Sequence, residues 1–287
     1  RRKKMRLLAS MYEHEYSFGL KETATSTEFK SLLTEVENND AKSLELECGN
    51  YADSSGGLHS SRFSLVAKWP RQKLLTKVFN FIENNVEIPD SIKTAFLAEA
   101  SEYKNHRAAQ FIAGYDERDE DIRFKIGANF NNYQNFKRFA KDTMSEFVHD
   151  FLEFSNRIAL GYDFHVNKNT KEFKIEPKFY FINSPSATVD EFRNVYERYF
   201  DAKTINMFQQ SAAIFISTRG NSNKIHIAFK PRNMSEFLSN PEVDLAIARK
   251  LQKKYNFGGR TMWSIALLEP ELRTNNINSV NAYCVYK

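Results

Sequence analysis

The stretch "NRIALGYDFHVNKNTKEFKIEPKFYF", residues 156–181, decides the fold because two alternating apolar and polar segments flank the turn sequence "NKNT". A period of two places successive side chains on opposite faces of a β-strand, and short Asn-rich sequences are typical of hairpin turns. The same arrangement occurs four more times, at residues 43–69, 109–130, 211–230 and 260–287. The sequence therefore predicts five β-hairpins, or ten antiparallel strands.

Helical periodicity fills the segments between the hairpins. In residues 71–85, apolar side chains recur at the spacing of an amphipathic helix. The same spacing predicts further helices over residues 3–16, 27–38, 89–102, 132–153, 188–200 and 241–254. Ten consecutive strands would expose long edges unless the sheet closed. We therefore expect an α+β fold in which residues 1–287 form a single domain, a ten-stranded antiparallel β-barrel surrounded by α-helices in five ααββ repeats.

Composition narrows the classes of function. The net charge of +5 and the pI near 9.0 mildly favour an anionic ligand. Neither Cys48, Cys284 nor the six histidines fall in a metal-binding spacing, which argues against zinc, and two cysteines are typical of a reducing, cytoplasmic setting. No apolar run is long enough for a membrane helix, so a soluble protein is expected. The sequence also lacks the glycine-rich motifs of nucleotide-binding proteins and the G-x-S-x-G motif of serine hydrolases, which disfavours nucleotide hydrolysis and serine-hydrolase chemistry.

The polar faces of the strands carry the candidate site. If helices cover the outside of the barrel, these faces point into its lumen. The first strand then contributes Glu45 and Glu47, and a basic group recurs on the second strand of four successive hairpins. These basic groups are Arg62, Arg123, Lys125, Lys174 and Lys224. Cations on one wall repel each other unless an anion lies among them, so a diphosphate is the natural ligand. The alternative is a solvated face whose charges merely decorate a surface.

The acidic run "DERDED", residues 116–121, is also considered as a magnesium–diphosphate motif. Such motifs lie on helices, whereas this run bridges two predicted strands. We therefore interpret it as a solvated hairpin turn.

The order of the segments resembles that of the cyanobactin prenyltransferases, a family that modifies ribosomal peptides and has the ABBA barrel fold. "SLELEC" followed by "SSRF" resembles the family's first hairpin. "IALGYDFHVN" followed by "KEFKIE" resembles its G-(F/Y)-D-F-x-x-N hairpin, and "IALLEPELRTNNINSVNAYCVY" resembles its closing segment. The individual motifs are short, and the resemblance rests on their order over most of the chain.

The resemblance implies a peptide prenyltransferase that moves an isoprenoid group, expected to be dimethylallyl, from its diphosphate to a side chain of a linear or macrocyclic ribosomal peptide. It implies Glu45 as the catalytic acid/base and Mg²⁺ bound through the diphosphate, with no protein ligands. The implied diphosphate ligands are Arg62, Arg123, Lys125, Lys174 and Lys224. The implied prenyl and acceptor pocket comprises Glu47, Phe164, Glu176, Phe215, His226, Trp263 and Tyr283. A bulky ring at Phe215 favours a five-carbon over a ten-carbon donor.

Two questions stay open at the level of sequence. Glu47, Glu176 and His226 depart from the family pattern, and an acidic pocket would suit an Arg guanidine acceptor as well as an aromatic one. The alternative function is a non-catalytic barrel that binds a peptide or single-stranded nucleic acid. The expected partners are a prenyl diphosphate and a peptide, with no nucleic acid, no membrane and a monomeric chain.

Overall fold

The part of the chain that the computed structural model describes contains all five hairpins. It comprises residues 6–40, 44–55, 58, 61–67, 72–102, 111–129, 145–154, 157–183, 193–219, 224–257 and 259–286.

Ten antiparallel strands close into a barrel in which the first strand pairs with the last. Every strand pairs with its neighbours in the chain, so the strand order follows the sequence. The strands are β1 (Leu44–Asp53), β2 (Ser61–Ala67), β3 (Phe111–Glu117), β4 (Asp121–Asn129), β5 (Arg157–Asn167), β6 (Phe173–Asn183), β7 (Ser211–Arg219), β8 (His226–Pro231), β9 (Ser264–Leu268) and β10 (Ser279–Tyr286). The predicted closed antiparallel barrel is confirmed. All five strand-to-strand connections within hairpins lie at one end, called the hairpin end below, and the helical connections lie at the other.

Ten helices in the described part of the chain surround the barrel. They are α1 (Arg6–Phe18), α2 (Ala24–Asp40), α3 (Gln72–Glu83), α4 (Asp90–Glu102), α5 (Glu146–Phe154), α6 (Arg193–Tyr199), α7 (Ala202–Gln209), α8 (Met234–Leu238), α9 (Ala246–Phe257) and α10 (Glu269–Thr274). None of these helices has the length and apolar content needed to span a bilayer.

The described helices do not reproduce five identical ααββ units. Only α5 precedes the third hairpin, because most of the predicted helix at 132–153 lies outside the described residues. The fifth hairpin differs because α10 lies between β9 and β10, with Pro270 in its first turn, where proline costs no helical hydrogen bond. The repeat pattern therefore stays a prediction.

The apolar face of each strand packs outward against the helices. In β1, Leu46 and Cys48 are fully buried while Glu45 and Glu47 are half-buried. On β4, Phe124 is buried and lies 5.5 Å from Phe81 of α3, measured between ring centroids. Because side chains alternate along a strand, the polar residues face the lumen.

The same alternation corrects the prediction for Phe164. This residue pairs with Phe124 and Ile175, and it lies fully buried in the apolar core. Its neighbours Asp163 and His165 belong to the opposite face of β5. Phe164 therefore packs on the outer side of the barrel, and its predicted place in the prenyl pocket is wrong.

Candidate functional site

Two rows of laterally paired residues cross the lumen face of strands β1 to β6. The first row consists of Glu47, Ser64, Gly114, Lys125, Asp163 and Glu176. The second row consists of Gly49, Arg62, Asp116, Arg123, His165 and Lys174. The rows are two residues apart on every strand, so they share one face. The barrel thus brings together six residues predicted from the sequence, namely Glu47, Arg62, Arg123, Lys125, Lys174 and Glu176.

Asp116 is the carboxylate at the centre of the second row. Its Oδ2 lies 3.3 Å from Arg118 Nη2 and 3.9 Å from Arg123 Nη1. Burial acts to raise the pKa of Asp116, but the charges of Arg62 and Arg118 outweigh it and hold the pKa below its ordinary value. Asp116 is therefore ionised, and it offsets part of the positive charge around it.

Asp163 plays the same part in the first row. Arg219 Nε lies 2.7 Å from Asp163 Oδ2, at an angle that makes the contact an ion pair without a hydrogen bond. Burial acts to raise the pKa of Asp163, but Lys178 and Arg219 hold it well below its usual range. Burial in turn lowers the pKa of Lys178 far below its ordinary value. Asp163 on β5, Lys178 on β6 and Arg219 on β7 therefore interact electrostatically across three neighbouring strands.

Lys125 is a buried lysine of β4 that lies close to a carboxylate of β1. Its Nζ lies 3.7 Å from Glu47 Oε1. Burial, reinforced by the charge of Arg62, lowers the pKa of Lys125 to about 8. This ammonium group therefore releases its proton slightly above neutral pH.

The lumen cluster, as these charges are called below, carries an excess of positive charge among the described residues. Its cations are Arg62, Arg123, Lys125 and Arg219, its carboxylates are Glu47, Asp116 and Asp163, and Lys178, whose pKa is lowered by burial, lies among them. The sequence-based expectation of uncompensated cations is too simple, because buried carboxylates lie among them. The excess still favours an anionic ligand.

Several buried polar atoms of the lumen have no hydrogen-bond partner among the described residues. They include Arg62 Nε and Ser64 Oγ, whereas Asp163 Oδ2 and Arg219 Nε lack a hydrogen bond but face each other as an ion pair at 2.7 Å. The guanidinium of Arg62 is packed on the ring of Tyr283, with its Cζ 4.9 Å from the ring centroid. Native proteins rarely leave such atoms unsatisfied, so a cluster of them indicates a polar ligand or ordered water.

The rim of the lumen at the hairpin end holds a second set of predicted residues. Lys174 Nζ lies 2.7 Å from Glu176 Oε1, and His165 Nε2 lies 3.2 Å from Glu176 Oε2. The side chain of Lys174 is 70% exposed, so it belongs to the rim and not to the buried cluster. Burial and the charge of Arg123 lower the pKa of His165 to about 4, which keeps its imidazole neutral near pH 7.

An open cleft of about 540 Å³ adjoins this rim. It is lined by Asp121, His165, Asn167, Glu172, Phe173 and Lys174. Phe173 is 58% exposed, which is unusual for a large apolar side chain. The cleft therefore offers one apolar ring among polar groups at the mouth of the lumen.

An aromatic group lies beside the lumen on β7 to β10. The rings of Phe215 and Trp263 are 6.1 Å apart, and Lys230 Nζ lies 4.8 Å from the Trp263 ring centroid. The Trp263 backbone N–H donates to the carbonyl oxygen of Tyr283, with the two atoms 2.6 Å apart. The structure thus brings the three predicted aromatic residues Phe215, Trp263 and Tyr283 into one region.

Three other predicted residues occupy less central or different positions. Glu45 pairs with Val66 near the start of β1 and shares the lumen face with Glu47. His226 pairs with Ser217, and burial and the charge of Lys178 lower its pKa to about 3. Lys224 is exposed and precedes β8, which begins at His226, so the prediction that it lies on that strand is wrong.

Four lumen residues are missing from the sequence-based set, namely Asp116, Asp163, Lys178 and Arg219. Lys178 could have been found by continuing the alternation of Lys174 and Glu176 by one more step. Asp116 lies in the acidic run "DERDED", of which residues 118–120 form the predicted turn while Asp116 itself lies on β3. The pairing of Asp163 with Arg219 depends on the stagger of β5 and β7 around the barrel, which local sequence does not encode.

Comparison with known proteins adds no relative. No protein-family model matches the chain, and no curated protein matches it significantly. The class is therefore defined by fold and site alone. The protein is a closed ten-stranded antiparallel barrel, wrapped by helices, whose lumen holds a buried and partly compensated cationic cluster.

Proposed function

We propose that the protein is an enzyme that transfers a prenyl group, dimethylallyl, from its diphosphate to a side chain of a ribosomal peptide. The observation that carries this proposal is the excess of cations inside a closed barrel, beside an aromatic group and with buried polar atoms left unpaired. The resemblance to the cyanobactin prenyltransferases supplies the reaction. The proposal also takes the chain to be a monomer that acts in the cytoplasm, the setting that its two cysteines favour.

The lumen cluster would bind the diphosphate. Guanidinium groups bind phosphate oxygens bidentately, and Arg62 has a buried Nε without a hydrogen-bond partner among the described residues, whereas Arg219 Nε faces Asp163. The carboxylates Asp116 and Asp163 reduce the repulsion between the cations while no ligand is bound. The negative charge of a diphosphate would then offset the excess positive charge of the cluster, and Mg²⁺ bound to the diphosphate would offset the remainder of that negative charge.

Magnesium fits this proposal only as an ion bound by the diphosphate. Mg²⁺ prefers carboxylate and water oxygens, but Asp116 and Asp163 are each engaged with arginines. When bound, the ion would neutralise charge on the leaving diphosphate. The protein side chains supply the rest of the electrostatic stabilisation.

The reaction breaks the allylic C–O bond, and the bonding electrons leave with the diphosphate. Preorganised cations stabilise that developing charge. The aromatic faces of Trp263 and Tyr283 would shield the allyl cation from water and attract it through cation–π contact. Phe215, packed beside Trp263, would limit the length of the isoprenoid chain.

Glu45 would accept the proton that the acceptor loses as the new bond to carbon forms. It lies on the same face of β1 as Glu47, and Glu47 contacts Lys125 in the cluster. Glu45 therefore lies one step further from the hairpin end than Glu47, and the proposal requires the acceptor side chain to reach it there. Arg guanidine and aromatic side chains are the two acceptor classes proposed.

A peptide panel tests the proposal. The chain is incubated with dimethylallyl diphosphate, Mg²⁺ and two peptides, one with Arg but no Tyr or Trp and one with Tyr and Trp but no Arg. A mass gain of one five-carbon prenyl unit on either peptide is expected, and fragmentation assigns the acceptor. Glu45→Gln should slow turnover by about 10²- to 10⁴-fold, whereas the exposed control Glu87→Gln should not.

The competing function is a non-catalytic barrel that binds a peptide or single-stranded nucleic acid. In that case neither peptide gains mass, a prenyl diphosphate analogue does not bind, and oligonucleotide affinity falls steeply with salt. That combination of results would overturn the proposal.

A further inference from the structure

A second group of reactive side chains lies outside the lumen, where the barrel closes. Cys48 of β1 and Cys284 of β10 are directly opposite each other in the ladder that joins the first and last strands. Both are free thiols and both are buried. His14 of α1 packs over them and is itself fully buried. Three segments distant in sequence therefore bring two sulfur atoms and an imidazole to one point.

We propose that His14, Cys48 and Cys284 form a zinc site that fastens helix α1 to the closing seam of the barrel. One ligand atom from each residue can be chosen so that all three lie within 4.8 Å of one another. The site is separate from the lumen cluster. Cys48 and Cys284 lie on the outer face of β1 and β10, and His14 lies on helix α1, which covers that face.

The distances fit a tetrahedral zinc ion. With Zn–S near 2.3 Å and Zn–N near 2.0 Å, a tetrahedral site separates sulfur from nitrogen by about 3.5 Å. Cys284 Sγ lies 3.7 Å from His14 Nδ1. Only a small closing movement of the three side chains is needed. Thiolate and imidazole are also the ligand types that favour zinc over Mg²⁺ or Ca²⁺.

The surroundings of the three residues resemble those of a metal site. Tyr286 Oη lies 3.4 Å from His14 Nδ1, the ring nitrogen that would bind the metal. The guanidinium of Arg260 hydrogen-bonds Tyr286 and lies over its ring, which holds that side chain in place.

Asn50 fixes the other edge of the imidazole. Its Nδ2 lies 3.3 Å from His14 Nε2 and donates to the hydroxyl of Tyr255 at 3.0 Å. A carboxamide can present its amino group or its oxygen to a ring nitrogen, so Asn50 suits either tautomer of His14. In the structure the amide nitrogen of Asn50 faces Nε2. Metal binding at Nδ1 would use the flipped carboxamide, in which Nε2–H donates to Asn50 Oδ1 and the Tyr255 hydroxyl turns its proton from Ala282 O towards Asn50. Partners of this kind orient metal-bound histidines.

Zinc at this position would act on stability. His14 and Cys284 are 270 residues apart in the chain, and β1 and β10 are the strands whose pairing closes the barrel. A ligand that binds only the folded chain stabilises it by mass action, and structural zinc does so strongly. The absence of any local spacing motif does not count against the site, because the fold and not the sequence brings its ligands together.

Cobalt binding to the reduced full-length chain tests the proposal. Because the chain contains only two cysteines, a thiolate-to-cobalt charge-transfer band must come from Cys48 or Cys284. One Co²⁺ per chain, displaced by one Zn²⁺, is expected. Zinc at about a hundredfold excess over its Kd should raise Tm by about 5 °C. Native mass spectrometry gives the stoichiometry without any variant.

Substitutions then identify the ligands. Cys48→Ser, Cys284→Ser and His14→Gln should each weaken zinc binding at least tenfold, whereas His149→Gln, at an exposed histidine of α5, should leave it unchanged. A wild-type chain that shows two free thiols but no charge-transfer band would overturn the proposal. A Cys48–Cys284 disulfide that forms in place of zinc binding would overturn it as well. Neither result depends on prenyl transfer.

Discussion

Binding of a diphosphate should be coupled to protonation of Lys125. Burial and the charge of Arg62 lower the pKa of this lysine to about 8. A trianion placed in the lumen cluster favours the charged ammonium and so raises that pKa. Well below pH 8 the lysine is protonated in both the free and the bound chain, and Lys125 adds no pH dependence to the affinity. Between the free and the bound pKa, binding takes up a proton and affinity falls as pH rises.

The magnitude follows from the pKa of the free chain. One pH unit above 8, about a tenth of the Lys125 groups still carry their proton, so the apparent affinity falls about tenfold, or by about 1.4 kcal/mol. Lys125→Arg keeps its charge across this range, and it should bind with a correspondingly weaker pH dependence. The difference between the two chains cancels any protonation of the ligand itself.

Isothermal titration calorimetry with a thiolodiphosphate analogue of dimethylallyl diphosphate measures both quantities. Titrations near pH 9 in two buffers of different ionisation enthalpy give the number of protons taken up. We expect nearly one more proton for the wild type than for Lys125→Arg. Equal uptake and equal pH slopes in the two chains would refute the reasoning, because Lys125 would then not sense the diphosphate.

Three further predictions concern stability and donor choice. Asp163→Asn removes the carboxylate that pairs with Arg219 and should lower the free energy of unfolding by about 3 kcal/mol. The control Asp119→Asn, at an exposed residue, should change it by less than about 0.5 kcal/mol. Urea titrations measure both values. Gly114→Ala should lower the free energy of unfolding by about 3 kcal/mol, because the added Cβ would overlap a carbonyl oxygen of β2. In Gly127→Ala the added Cβ meets nothing nearer than 3.4 Å, so the loss should be less than about 1 kcal/mol. Equal losses in the two variants would contradict the close approach of the strands at Gly114. Phe215→Ala should shift the ratio of kcat/KM for ten-carbon over five-carbon donors upward by about tenfold, and an unchanged ratio would remove this ring from the donor pocket.

The strands and the closed barrel could be predicted because their signal is local. Alternation in segments such as β1 and β4 fixes which side chains share a face, and the need to protect sheet edges favours closure. The same alternation excludes Phe164 from the lumen, because it lies between Asp163 and His165 on β5. Its assignment to the prenyl pocket rested on the family resemblance alone. The helix between β9 and β10 carries only a weak signal, a proline in a short polar stretch.

The charge pattern of the lumen could be predicted only in part. Arg62, Arg123 and Lys125 follow from alternation on single strands. The place of Asp116 beside Arg123 follows from the register of one hairpin, whereas the ion pair of Asp163 with Arg219 does not, because β5 and β7 are separated by a strand and their stagger is not encoded locally. The convergence of His14 with Cys48 and Cys284 is hidden for the same reason.

The most direct test of the central claim is the intact mass of a peptide after incubation with the chain, dimethylallyl diphosphate and Mg²⁺. The account predicts a gain of one prenyl unit on an Arg-containing or an aromatic peptide, and loss of that gain when Arg62 and Arg219 are both replaced by Met. No mass gain on any peptide, with a correctly folded wild-type chain, would contradict it.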